Sequence, residues 1–379
     1  MADTPSIPVQ PTKKRLPYRI VVEPRLTEVP RWYPIVLSIA AVLVALTIGG
    51  VIIAYSGGDP FRSYLHIAQA SFGSLGVFSD TLLKATPLIM VGLAASVAFR
   101  MKLWNIGAEG QFFLGAFGAS LVVLTPLLPA TTSPWIMIPA MLAAGALAGA
   151  LWAFIPGFLK ARYRVNEIIT TLMMNYIAIA WNNFFIFGVW SEGGFQMSRT
   201  FPKSAWLPRL ADYAAQVKLF RGLTVHLGFL IALLAAVLIW FIIYRSRWGY
   251  EIRLTGDNPR AAEYAGINIA RNIILVMMLS GGLAGLGGAM EISGVVHRLQ
   301  GAISPGYGFT GIIIAWLAKL NPFAVVLVSV LFGALILAGR EIQPSGIPKM
   351  IQGIILVCLI ASDFFLRYQV SIQRQREEA

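Results

Sequence analysis

Eight polar side chains interrupt stretches of this chain that are otherwise apolar. Asn105, Glu109 and Gln111 fall in LWNIGAEGQF (Leu103 to Phe112), Glu167, Thr171, Asn175 and Asn182 follow in a later run, and Glu291 stands in a third. Carboxylates and amides of this kind hold solutes by hydrogen bonds, hold helices together, or relay ions. A charge at the centre of a bilayer costs at least about 2.5–3.5 kcal/mol on insertion scales, so such groups face a bundle interior or water. Catalysis is not indicated: no nucleophile–base pair stands out, His66 and His226 have no neighbours at metal-ligand spacing, and no G-x-x-x-x-G-K-[ST] phosphate loop occurs. No catalytic residue, metal or cofactor is therefore expected.

Composition dictates the setting. The chain has 379 residues, 57% of them apolar and 12% charged, against about 25% charged in soluble domains. Ile35 to Ala54 has no charge, and roughly 20 apolar residues cross a bilayer as helix. A polytopic membrane protein in contact with lipid follows. The net charge of +13 reads as basic residues gathered in cytoplasmic loops, not as a nucleic-acid surface. Cys358 stands alone, so no internal disulfide forms. The first apolar run has no small-residue cleavage site behind it and reads as a retained helix.

The expected fold is all-α, with about ten transmembrane helices. Their expected spans are 35–55, 81–100, 106–124, 135–158, 166–190, 223–244, 272–294, 307–320, 322–340 and 350–367. Residues 60–79 are too mixed to span and suit an interfacial or loop helix. A polar, basic tail (1–34) precedes the membrane domain (35–367), and a short tail (368–379) follows. The tail at 1–34 reads as disordered or lying on the membrane surface. Most of the 30 Lys and Arg fall on the side that holds the N-terminal tail, which puts both termini in the cytoplasm.

The longest inner loop, residues 245–271, carries helix punctuation. Asp257 or Asn258 caps, Pro259 suits the first helical position, Arg260, Ala261, Ala262 and Glu263 are helix-prone, and Gly266 suits a left-handed stop. Asn268 can open the next segment. A short helix between two bends is either a solvated connector or a docking element for a cytoplasmic partner.

Three stretches together carry a resemblance: LWNIGAEGQFFLGAFGA, VNEIITTLMMNYIA (Val165 to Ala178) and GYEIRLTGDNPRAAEYAGIN (Gly249 to Asn268). Over roughly residues 80 to 365 the chain resembles permease subunits of bacterial ABC importers, in the branch serving simple sugars and branched-chain amino acids. Within it, the chain looks most like nucleoside-importer permeases that work with a basic-membrane-protein-type binding lipoprotein. The resemblance implies a type II importer fold in the bacterial cytoplasmic membrane. It also implies a cytoplasmic ABC ATPase subunit, an extracytoplasmic solute-binding protein and a second, related permease in a heterodimer. It further implies that the segment around Asn258 to Ala265 seats in the ATPase.

The polar residues then have two readings each. Glu109 either pairs with Arg100 or Lys102 at the join of two spans, or ends a broken helix facing the path. Glu167, Thr171, Asn175 and Asn182 share one helix face with Ala178, as glue or as channel lining. Glu167 also reads as a surface acid beside Arg162 and Arg164. Gly281, Gly285 and Gly288 share a face and read as close helix packing. Glu291 pairs with His297 or Arg298, or meets solute. The runner-up substrate is a simple sugar or other small polar solute. A different class, an ion-coupled secondary transporter, would use Glu109, Glu167 and Glu291 as a relay.

Overall fold

Several helices in this chain start where local capping chemistry places them. The side chains of Asn166, Asn258, Asn268 and Asn321 each accept from a backbone N–H in the first turn of the helix they open, as preferred N-caps do. The structure is a computed structural model describing residues 18–24, 30, 32–125, 127–339 and 346–374. Strand β1 (Tyr18–Pro24) precedes α1 (Tyr33–Tyr55), α2 (Pro60–Phe72), α3 (Leu75–Arg100), α4 (Ala108–Leu124), α5 (Pro134–Tyr163) and α6 (Glu167–Phe187). Then come α7 (Leu227–Arg245), α8 (Arg247–Asp257), α9 (Pro259–Tyr264), α10 (Ile269–Glu291), α11 (Tyr307–Leu317), α12 (Pro322–Ala338), α13 (Ile347–Arg367) and strand β2 (Tyr368–Arg374).

Among the described residues, six helices are long and apolar enough to cross a membrane: α1, α3, α5, α7, α10 with its terminal turn, and α13. α4, α11 and α12 are shorter and apolar. α6 is 21 residues long, but Asn175, Asn182 and Asn183 dilute its apolar character. Each of the ten expected spans falls on one of these helices, and the mixed segment at 60–79 holds α2.

The chain divides into two units, residues 1–46 with 355–379, and residues 47–354. In the first, β1 and β2 pair antiparallel with Tyr18 opposite Arg374 and Pro24 opposite Tyr368. This two-stranded sheet departs from the all-α expectation and from a disordered tail. The cause is that the two terminal segments supply each other's backbone partners, which neither sequence reveals alone. The rest of the expected N-terminal tail (1–17, 25–29 and 31) and residues 375–379 lie outside the described residues.

In the second unit, α3 is the central helix, 89% of its apolar window being buried. α7, α10, α11 and α12 pack around it. The peripheral helices are inside-out in character. α6 buries Glu167, Thr171, Asn175, Ala178 and Asn182 while Ile169, Met173, Tyr176 and Phe184 are exposed. In water that arrangement would be unstable, and in lipid it is the one expected.

α4, α5 and α10 meet at a seam of glycines. A Cβ on Gly115 would lie 2.1 Å from the carbonyl oxygen of Gly285, and one on Gly149 would lie 2.3 Å from that of Gly281. One on Gly288 would lie 2.0 Å from the carbonyl oxygen of Phe112. Only glycine permits this approach, so the G-x-x-x-G face packs as its sequence suggests.

Candidate functional site

The α3–α4 junction is the first polar cluster. The chain turns out of α3 at Arg100 and resumes as α4 at Ala108, with Asn105 fully buried between them. Asn105 and Gln111 exchange amide hydrogen bonds: Asn105 Nδ2 donates to Gln111 Oε1 at 2.9 Å, and Gln111 Nε2 donates to Asn105 Oδ1 at 3.0 Å. Asn105 Nδ2 also donates to Ser280 Oγ of α10, and Ser280 donates to the Ala94 carbonyl of α3. Asn175 of α6 grips the same junction from the other side. Its Oδ1 accepts from Gly110 N at 2.8 Å and its Nδ2 donates to the Ile106 carbonyl at 2.9 Å. The structure thus unites Asn105, Gln111 and Asn175 with Ser280, which sequence reasoning missed. Their hydrogen-bonding capacity is spent on four helices.

Glu109 does not pair with Arg100 or Lys102. Its Oε2 accepts from the backbone N–H of Gly308 at 2.6 Å, and the Ser304 side chain bonds it too. The carboxylate therefore sits in the first turn of α4 and at the head of α11, where two helix N-termini favour negative charge. Arg100 is turned away, donating to the Tyr244 hydroxyl with its guanidinium 5.3 Å from that ring.

A cavity of about 500 Å³ opens between α3, α10 and the approach to α11; its polar lining is Asp80, Lys84, Glu291, Gln300 and Ser304. Lys84 Nζ and a Glu291 carboxylate oxygen are 3.5 Å apart, with side chains only 8% and 3% exposed. Tyr307 forms part of the apolar wall. Glu291 is the last residue of α10, where the backbone loosens into a π turn over Ile292–Val296; such turns recur at functional sites.

Glu291 was expected beside His297 or Arg298, yet it pairs with Lys84. His297 instead stacks on Trp206 at 3.8 Å and meets Arg209 at 2.8 Å, and Arg298 contacts the Met197 sulfur. Two further expected residues reach the cavity rim indirectly: Glu109 through Ser304, and Asn182 by donating to the Gln300 carbonyl at 3.2 Å.

Lys84 and Asp80 were missed. The available signal was a lysine inside the apolar run LLKATPLIM, a costly placement in a membrane that a span boundary drawn at residue 81 made look peripheral. Glu167 and Thr171 lie at the opposite end of α6 from Asn182. Glu167 pairs with Lys160 at 2.7 Å, not with Arg162 or Arg164, and Thr171 Oγ1 donates to the Glu167 carbonyl at 2.6 Å.

The inner loop is more ordered than its punctuation implies. It holds α8 as well as α9, and α8 is lashed to α10 through Asn272, which accepts from Trp248 Nε1 and donates to Glu251. Asn258, not Asp257, caps α9, accepting from Ala261 N at 3.1 Å. Pro259 opens the helix, and Gly266 adopts a left-handed φ of 75° just past its end. Ala262 is fully buried within this chain, so its side chain packs inward. Asp257, Arg260 and Glu263 are exposed, and the neighbouring Tyr264 is 95% exposed.

The family of branched-chain amino acid transport system permease components matches residues 77–360. A glucose ABC transporter permease protein of Haloferax volcanii is 35% identical over 94% of this chain and 94% of its own length. A guanosine ABC transporter permease protein of Bacillus subtilis is 36% identical, covering 90% of this chain and 97% of its own length. A nucleoside ABC transporter permease protein of Lactococcus lactis is 29% identical, covering 89% and 92%. Each of these organisms supplies a second permease that matches a smaller share of this chain. These are 27% identical over 69% of this chain in H. volcanii, 27% over 67% in B. subtilis and 29% over 68% in L. lactis.

Proposed function

The chain belongs to the family of branched-chain amino acid transport system permease components, and from that membership we propose that it is the permease subunit of an ATP-binding-cassette importer for nucleosides. The observation that carries this reading is the similarity, over 90% of the chain, to a guanosine permease. The apolar exterior of the peripheral helices suits a multi-pass protein, and the polar-lined cavity suits a small polar solute.

In this reading ten helices cross the bacterial cytoplasmic membrane in a type II importer arrangement, with both termini cytoplasmic. The coincidence of all ten expected spans with helices supports the count, and the distribution of Lys and Arg supports the orientation. An extracytoplasmic binding protein delivers the solute, and a cytoplasmic ABC ATPase subunit drives its passage. A second related permease completes a heterodimer, supported by the presence of two permeases similar to this chain in each of the three organisms. α9 couples to the ATPase through its exposed residues, and the cavity beside Glu291 is the part of the path that this chain supplies. The similarity to a glucose permease over 94% of the chain favours a second reading, a simple sugar as solute.

Reconstitution of the chain with the second permease, the ATPase and the binding protein in proteoliposomes tests both readings. ATP-dependent uptake of radiolabelled guanosine is expected. Glucose uptake without guanosine uptake selects the second reading, and uptake driven by an ion gradient without ATP overturns both. A transport-competent complex lacking the second permease overturns the heterodimer.

A further inference from the structure

We propose that the cavity bounded by α3, α10 and the head of α11 binds the vicinal hydroxyls of a neutral solute, with the Lys84–Glu291 pair bracketing them. This rests on the importer reading above and adds the chemistry that the path recognises.

The pair is an odd choice for a brace. Replacing both members of a buried ion pair with apolar groups is often neutral or stabilising, so stability alone does not call for one here. It instead faces a cavity of about 500 Å³, within the range of small-molecule sites. An ammonium offers only donors and an ionised carboxylate only acceptors. At 3.5 Å separation the two present a donor and an acceptor side by side. Adjacent hydroxyls on a ring match that pattern, one donating to Glu291 while its neighbour accepts from Lys84. Gln300 and Ser304 add further polar groups, and Tyr307 offers an apolar wall for the flat part of the solute.

Charge sets the class of solute. Among the described lining residues Lys84 and Glu291 cancel, leaving the Asp80 carboxylate, which accepts from the Thr224 hydroxyl at 2.5 Å. Phosphorylated sugars and nucleotides are repelled. An amino-acid zwitterion would have to shed the water around both of its charges to enter a site whose own charges are already paired. A hexose and a ribonucleoside both satisfy the site, because each is neutral and carries vicinal hydroxyls.

The test is maximal uptake by the full reconstituted complex, with each solute at a concentration that fills the binding protein, so that the binding protein's affinity drops out. Guanosine, 2′-deoxyguanosine and glucose are the probes, and leucine is the zwitterionic control. The wild-type complex is expected to carry guanosine, or glucose if sugar is the solute, at least tenfold faster than either 2′-deoxyguanosine or leucine. Tenfold corresponds to about 1.4 kcal/mol. Glu291→Gln and Lys84→Met should bring the hydroxylated solute down to the deoxy rate. The double variant Lys84→Met/Glu291→Leu strands no charge; it should assemble with the ATPase and show the same loss of preference. Wild-type preference in the double variant, equal loss for all probes, failure of the double variant to assemble, or a wild-type preference for leucine would each overturn the proposal. An inactive wild-type complex would instead count against the importer reading itself.

Discussion

The backbone amide of Gly308 donates to the carboxylate of Glu109 at 2.6 Å, across 199 residues of sequence. The contact joins the head of α11 to the first turn of α4, and it leaves no room for a side chain at position 308: a Cβ there would lie 2.2 Å from the backbone nitrogen of Glu109.

Glu109→Leu should therefore destabilise the permease by about 1–3 kcal/mol, the cost of stranding a buried N–H. Glu109→Gln keeps an acceptor and should lose less. Gly308→Ala should destabilise more than the Gln variant, because α11 must move off α4. Thermal unfolding of the purified complex in detergent ranks the three, and an order with Leu as stable as wild type would refute the account.

Asn175→Leu removes the partner of both Gly110 N and the Ile106 carbonyl. A stability loss of about 1–3 kcal/mol follows. Uptake should fall in proportion to the folded complex recovered, with the apparent solute affinity unchanged. A changed affinity at full stability would move Asn175 from fastening to solute contact.

The coupling helix is best probed at Tyr264. Tyr264→Asp should lower recovery of the ATPase at least tenfold, about 1.4 kcal/mol, and leave permease stability unchanged because the residue is 95% exposed. Ala262→Trp should instead disrupt α9 itself, since that position is filled from within the chain. Co-purification combined with thermal unfolding separates the two effects.

His297 lies just beyond the last turn of α10, stacked on Trp206. Burial, then the neighbouring Arg209 guanidinium, lowers its pKa from 6.5 to about 4, although Asp212 and the Ser293 backbone act the other way. The folded chain thus resists protonation where the unfolded chain accepts it. Stability should be indifferent to this group above pH 6.5, fall as pH drops from about 6.5 to 4, and level off below. His297→Gln should flatten that window in a pH series of unfolding temperatures; an unchanged slope would remove His297 as its source.

What could be read from the sequence was local or periodic. The Asn258–Pro259 start and Gly266 stop of α9 are written in adjacent residues, and the glycine face of α10 is written in a four-residue repeat. The polar face of α6 shows on a helical wheel for the same reason. Partners across the fold were not legible. Glu109 finds an amide, Glu291 finds a lysine on α3, and Glu167 finds Lys160 in place of nearer arginines, because tertiary packing and not sequence proximity chooses each contact. α8 escaped notice because its short amphipathic pattern merges with the loop, and the β1–β2 pairing because each strand's partner is at the far end of the chain.

The glycine seam has a mechanical consequence. Gly281 and Gly285 are notches four residues apart, about 6 Å along a helix axis, and each receives the backbone of α5. A slip of α10 by less than that spacing drives a Cβ into a carbonyl oxygen. The contact therefore locks a single register, because a whole four-residue step would carry Met277 or Ala289, each with a Cβ, into a notch. α4, α5 and α10 must travel as a single welded piece, and the give that opens and closes a pathway has to reside at the edges of that piece, where side chains rather than bare backbones slide past one another.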